Sequence, residues 1–177
     1  IDLPGDPVSA LFRGKRVVVR GAGGTIGGEL ASQILQFDPE SIVLVERSEF
    51  SLYEIRKRVA REAPDRVHRV INSLVDVQQT DTMRRLLESV QPHILLHAAA
   101  HKHVPLGEEN PSEYVRNNAL ATRALAEMSD QLGVARFVFT DIARDGMLAG
   151  PNLERLREVA VATPARVTGS GGVSSLG

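Results

Sequence analysis

The sequence contains no cysteine. Disulfides, thiolate nucleophiles and cysteine-based zinc sites are therefore excluded, and a reducing cytosol is compatible with the chain. It lacks an excess of either charge: 21 Lys and Arg stand against 22 Asp and Glu, a formal net charge of -1. A nucleic-acid surface needs a basic surplus to neutralise phosphates, so no nucleic-acid partner is expected. It lacks an apolar run near the roughly 18–20 residues that span a bilayer, so no membrane partner is expected. The first residues, Ile1-Asp2-Leu3-Pro4-Gly5, have neither a basic start nor an apolar core and do not read as a secretory leader. They also lack an initiator Met, as a trimmed or partial product would. What is present is ordinary: 177 residues, 42% hydrophobic and 24% charged. That suffices for one α/β core with a short appendage, expected in the cytoplasm.

The apolar pattern alternates between short β-branched runs and helical spacings. Arg16-Val17-Val18-Val19-Arg20, Ile42-Val43-Leu44-Val45 and Ile94-Leu95-Leu96 read as buried parallel strands. Val67–Ile71 is a weaker third strand because it alternates with Arg and His, and Phe137–Phe139 and Ala165–Thr168 read as the fifth and sixth strands. Helices are expected over 25–37 (apolar at Ile26, Leu30, Ile34 and Leu35), 52–61, 80–90, 111–132 and 152–162. Residues 1–14 read as an irregular lead-in, and 169–177 as a Gly/Ser-rich tail. Strand and helix alternating in this way predict an α/β fold: a three-layer, Rossmann-like, doubly wound parallel sheet of about six strands in the order 3-2-1-4-5-6. The expected organisation is a single domain over 1–177.

Between the first strand and the first helix stands Gly21-Ala22-Gly23-Gly24-Thr25-Ile26-Gly27. A phosphate-binding turn must leave the strand sharply, approach a pyrophosphate closely and open a helix whose free N–H groups face the anion. Gly21, Gly24 and Gly27 fall at those places, although G-x-x-G-x-x-G differs from the general G-x-G-x-x-G. The strand–turn–helix context favours a dinucleotide over a plain turn. An acid at the end of the second strand bonds the ribose 2′-OH, whereas a nearby Arg tolerates a 2′-phosphate. Glu46 followed by Arg47 leaves NAD and NADP both open, and Arg47-Ser48 inclines the balance towards NADP.

These residues resemble a known group. Gly14 to Gly27, Glu46-Arg47-Ser48-Glu49-Phe50-Ser51-Leu52-Tyr53-Glu54-Ile55, His97-Ala98-Ala99-Ala100-His101-Lys102-His103-Val104-Pro105-Leu106 and Asn117-Asn118 are similar to the polysaccharide-biosynthesis nucleotide-sugar 4,6-dehydratases and epimerases, which are extended short-chain dehydrogenase/reductases. The resemblance spans about residues 1–139. It implies that Gly21, Gly24, Thr25, Ile26 and Gly27 hold the pyrophosphate and that Glu46 and Arg47 hold the adenosine ribose. It also implies that Asp76 meets the adenine edge and that Ala98, Ala99 and Lys102 line the cofactor. Arg20 departs from it, since the family usually has Thr there.

The resemblance stops in the fifth strand. The family's Ser-Thr-Asp-Lys stretch, and its Tyr or Met followed by the Lys that holds the nicotinamide ribose, are absent. Instead, Phe139-Thr140-Asp141-Ile142-Ala143-Arg144-Asp145-Gly146-Met147 and Ser170-Gly171-Gly172-Val173 resemble the sixth and seventh strands of the histidine-biosynthesis phosphoribosyl isomerase, a (βα)8 barrel. That resemblance, over about 137–176, implies that Thr140 and Asp145 match active-site positions and that Gly171-Gly172 grips a phosphate. The opposing first-strand carboxylate and most of the barrel are missing, and a lone acid cannot run an acid–base isomerisation. Two unrelated families meeting near Phe139-Thr140 imply a recombinant or engineered hybrid. At most it is an NAD(P)-binding module, with no catalytic residue assigned. The alternatives are a nucleotide-sugar dehydratase/epimerase fragment with residual activity and a folded scaffold with no ligand.

Other clusters read as structural. His97, His101 and His103 have no carboxylates at ligand spacing, so no metal site is expected. Glu108-Glu109 reads as a helix-entry charge pair, and Arg84-Arg85 and Arg155–Arg157 as solvated faces. Thr122 and Ser129 have no basic neighbour that would make either a nucleophile. An uncovered sheet edge leaves strand exchange or a homodimer open.

Overall fold

The valine and isoleucine runs become strands. The computed structural model describes residues 7–76, 78–101, 104–133, 136–140, 153–162 and 166–170. In it, β1 (Arg16–Arg20), β2 (Ser41–Glu46), β3 (Val70–Leu74) and β4 (Ile94–His97) form a parallel sheet in the order β3-β2-β1-β4. Val17 to Val19 and Ile42 to Val45 are at most 1% exposed. Burial on both faces suits parallel strands covered by crossover helices, and β-branched side chains pack well on the pleated surface. Between the strands run α2 (Thr25–Gln36), α3 (Glu49–Glu62) and α4 (Thr80–Val90). Val17, Val19, Ile42 and Leu44 join Ala31, Ile34 and Leu35 of α2 and Ile55 and Val59 of α3 in one apolar cluster. Strand alternation sends Val18, Arg20, Val43 and Val45 to the opposite face.

The chain divides into two compact units, Ile1–Leu125 and Ala126–Gly177. In the second, β5 (Arg136–Thr140) and β6 (Arg166–Ser170) pair in parallel around α8 (Leu153–Ala162), from Arg136 opposite Arg166 to Thr140 opposite Ser170. The 3-2-1-4 part of the expected order and the 5-6 neighbours are thus both observed, as two separate hydrogen-bonded ladders.

Several boundaries differ from expectation. The third strand lies at Val70–Leu74, not 67–71, because a 3-10 helix occupies Pro64–Arg69. Pro64 presets its own φ for that turn, and the Arg66 N–H closes it on the Ala63 carbonyl at 3.0 Å. Arg66 and Arg69 then reach back to the carbonyls of Gln36 and Pro39. α3 starts earlier than residue 52 because Ser48 caps it, its Oγ accepting from the Ser51 N–H at 3.2 Å. The lead-in contains a short helix, α1 (Pro7–Phe12), and α5 (Val104–Glu109) follows β4. The long helix expected over 111–132 is composite: α6 (Pro111–Tyr114), a π-helical turn at Val115–Leu120, and α7 (Ala121–Gln131).

Candidate functional site

β1 ends at Arg20 and the chain turns at Gly21, where φ is +78°, a conformation that favours glycine. The N–H groups of Gly21 and Ala22 both donate to the Val45 carbonyl, at 2.9 and 3.2 Å. A Cβ on Gly21 would sit 2.8 Å from the Ala98 carbonyl carbon and the Ala99 nitrogen. The glycine therefore lets β1 lie directly against the segment that follows β4. The Gly24 N–H closes the turn on the Gly21 carbonyl at 3.1 Å. α2 begins at Thr25, and no side chain caps it. The first helical N–H groups have no carbonyl of a preceding turn to reach, so this end offers unpaired donors and the positive pole of the helix.

The strand order reverses between β1 and β4, and a crevice of about 180 Å³ opens at their carboxyl ends. It is lined by Gly21, Gly24, Val45, Glu46, Arg47, Ala98, Ala99, Ala100, His101 and Asn117. Glu46 is tied down by backbone: Oε1 accepts from Arg47 and Ser48 N–H at 2.9 and 3.1 Å, and Oε2 accepts from Gly23 N–H at 3.1 Å. Oε2 keeps accepting capacity. Arg47 leans towards Glu113, whose Oε1 is 4.0 Å from its Nη1 and accepts from Gln78 Nε2 at 2.9 Å. His101 Nε2 lies 3.7 Å from that same oxygen.

The π-helical turn fixes the far wall. A π turn is rare and recurs at functional sites. Here it carries Asn118, whose Oδ1 accepts from the His101 N–H at 2.8 Å and whose Nδ2 donates to the His101 carbonyl at 2.7 Å. Buried Asn117 donates to the same Oδ1 at 2.9 Å. Asn118→Ala is expected to destabilise the domain by about 2 kcal/mol, since two backbone groups lose partners. Faster hydrogen exchange at the His101 amide would register that loss.

Of the residues singled out in the sequence, Gly21, Gly24, Glu46, Arg47, Ala98 and Ala99 line the crevice. Thr25, Ile26, Gly27 and Asp76 do not line it; Ile26 is 64% exposed, and Asp76 Oδ1 accepts from the Gln78 N–H. Lys102, His103, Asp145, Gly171 and Gly172 lie outside the described residues, as does the side chain of Thr140. Val45, Ala100, His101 and Asn117 were not expected as a lining. Asn117 stands in the Asn117-Asn118 motif, and Ala100 and His101 in the His97–Leu106 motif, but none was assigned a place at the cofactor. Among the described residues no three His, Asp or Glu side chains are grouped to hold a metal. No helix among them is long and apolar enough to cross a membrane.

In space Thr122 lies beside a histidine: His97 Nε2 is 2.9 Å from its Oγ1. The pairing arises because β4 and the helix bearing Thr122 are adjacent in space and distant in sequence. Burial, reinforced by the charge of Arg20, pushes the His97 imidazole down to about 4. Nδ1 lies 3.3 Å from the Ala99 nitrogen, so in either tautomer of the neutral ring one nitrogen carrying a proton faces another donor. A ring held at about 4 is a poor base for the Thr122 hydroxyl. Arg20, 1% exposed, is itself lowered to about 10 by burial, opposed by the charge of Asp76.

Comparison with known proteins gives two separate likenesses. The family model described as polysaccharide biosynthesis protein matches residues 17–148. The probable polysaccharide biosynthesis protein EpsC of Bacillus subtilis is 40% identical over 139 residues, covering 78% of this chain and 23% of that protein. The chain thus spans about a quarter of that relative. A phosphoribosyl imidazole-4-carboxamide isomerase of Bifidobacterium adolescentis is 62% identical over 47 residues, covering 27% of this chain and 20% of that protein. Among solved structures, a UDP-glucose 4-epimerase of Stenotrophomonas maltophila with bound NAD and formylated UDP-arabinopyranose superposes with a TM-score of 0.70 at 19% identity. It covers 88% of this chain and 52% of that one, and shows the Rossmann-type fold.

Proposed function

The chain belongs to the polysaccharide biosynthesis protein family, and from that premise we propose that its first unit binds the adenosine-diphosphate half of NAD without completing a catalytic centre. The observation that carries this reading is the uncapped start of α2, set against a glycine turn that has no room for a side chain at Gly21, Gly23 or Gly27. A pyrophosphate fits that chemistry: it needs N–H donors, positive helix polarity and close backbone approach. Gly21, Gly24, Thr25, Ile26 and Gly27 would hold it, and Glu46 Oε2 would accept from a ribose hydroxyl. Asp76, Ala98, Ala99 and Lys102 complete the proposed set. The bound dinucleotide would supply hydride transfer at its nicotinamide. Within this chain no lysine follows Lys102, so the family's Tyr or Met…Lys pair is missing and no turnover of a nucleotide sugar is expected.

Glu46 favours NAD over NADP. Its carboxylate is anchored by three backbone N–H groups, so a 2′-phosphate would meet a fixed negative charge. Arg47, the cation that would offset it, leans towards Glu113. The expected outcome is NAD binding about tenfold tighter than NADP, a difference of about 1.4 kcal/mol, with Glu46→Gln narrowing the gap. An NMR titration reads both points. NAD should move the amides of Gly24 to Gly27, and the reading fails if saturating NAD leaves them still. The two family likenesses also support a hybrid origin, with a Rossmann piece joined to a barrel-derived strand–helix–strand piece near Phe139-Thr140.

A further inference from the structure

The last residue of β1 buries a cation that the described residues do not satisfy. Arg20 is 1% exposed, and its Nε and Nη2 have no hydrogen-bond partner among the described residues. The remaining nitrogen, Nη1, lies 3.3 Å from His97 Nε2. That same Nε2 is 2.9 Å from Thr122 Oγ1, and His97 Nδ1 is 3.3 Å from the Ala99 nitrogen.

Donors exceed acceptors wherever the imidazole proton sits. A guanidinium only donates, and a neutral imidazole has one accepting nitrogen. If Nδ1 accepts from Ala99, then Nε2–H confronts the Arg20 Nη1 donors. If Nε2 accepts from Arg20, then Nδ1–H confronts the Ala99 N–H. Either way, the donors of Arg20 and Ala99 share one imidazole lone pair and the Thr122 hydroxyl. Asp76 is the carboxylate whose field acts on Arg20, yet the two form no ion pair among the described residues. Burying donors without acceptors is costly, and more so for a charged group. A cluster of this composition calls for an anionic oxygen that the described residues do not supply.

We propose that Arg20, His97, Thr122 and the Ala99 N–H form an oxyanion subsite at the carboxyl ends of β1 and β4, suited to a phosphate-class group. Two members keep it within reach of ligand: Thr122 is exposed, and Ala99 lines the crevice. The subsite is separate from the glycine cradle and uses none of the amides of Gly24 to Gly27. It shares Ala99 with the dinucleotide site proposed above, so the phosphate arm and the Arg20→Met variant carry the distinction between the two. The oxyanion comes either from free phosphate or from a phosphate of a bound dinucleotide, and the two arms of the test separate these sources.

The test is an NMR titration of the whole chain with inorganic phosphate and, separately, with NAD. It follows the Ala99 amide and the His97 ring, with chloride at matched ionic strength as control. A saturable shift at Ala99 and His97 with phosphate or NAD, absent with chloride, is expected. Arg20→Met should abolish that shift. The response of Gly24 to Gly27 to NAD should persist in the same variant, which also shows that it is folded. Thr122→Ala, an exposed change that leaves the buried charge in place, should weaken the response several-fold. The proposal is overturned if neither ligand moves Ala99 and His97, or if Arg20→Met responds as the parent chain does.

Discussion

Gly27→Ala is expected to destabilise the first unit by about 3 kcal/mol, at the upper end of ordinary overpacking costs, and to abolish dinucleotide binding. A Cβ at position 27 would run into the carbonyl oxygen of Gly21, with the Gly21 carbonyl carbon at 2.7 Å and the Ala22 Cα at 3.0 Å. All three are backbone atoms of the turn, and none can rotate away as a flexible side chain would. Relief requires α2 to move off β1. That would disturb the apolar cluster of Ala31, Ile34 and Leu35 with Val17 and Val19, and it would carry the helix start away from the crevice. Gly24→Ala is the matched control, because the nearest atom to its added Cβ is the Gly21 oxygen at 3.3 Å. Urea denaturation of the two variants separates the cases. Equal midpoints would show that the Gly27 contact does not hold the turn.

Acid is expected to destabilise the first unit through His97. The unfolded chain takes up a proton near the ordinary histidine value of 6.5, whereas the folded ring resists until about 4. The contribution is therefore fully present above pH 6.5 and is lost progressively as pH falls from 6.5 to 4. A displacement of that size corresponds to about 3 kcal/mol, and partial exposure of the ring to solvent reduces it to about 2 kcal/mol. Comparing unfolding free energies of the parent chain and His97→Gln at pH 7.5 and 4.5 isolates the effect. Glu29, held below the usual carboxylate range chiefly by Arg58, contributes alike to both proteins and cancels. The parent should lose more stability than the variant, and equal losses would remove His97 as the cause.

The fold was legible where one physical signal dominates. The Val17–Val19 and Ile42–Val45 runs could only be buried strands, and the glycines after the first run could only be a turn into a helix. Legibility failed where local chemistry competes with periodicity. Val67 looked like the start of a strand, but Pro64 and the arginines around it favour a 3-10 turn bonded back to the end of α2. The π-helical turn left no mark in the spacing of apolar residues, because one extra residue per turn hardly alters a helical pattern. The crevice was half legible. Gly21, Gly24, Glu46, Arg47, Ala98, Ala99 and Ala100 carried motif signals, whereas Val45 is an ordinary apolar residue that lines it only by position.

The residues alone determined the alternation of strand and helix, the place of the glycine turn and the acid at the end of β2, because each depends on neighbours within a few positions. The tertiary structure decided that Arg20 of β1, His97 of β4 and Thr122 of a later helix form one donor-rich cluster, and that Glu46 anchors three backbone amides. Those outcomes depend on which strands pair and in which register. Hydrogen-bond satisfaction and burial are properties of that assembled packing, and no short window of sequence encodes them.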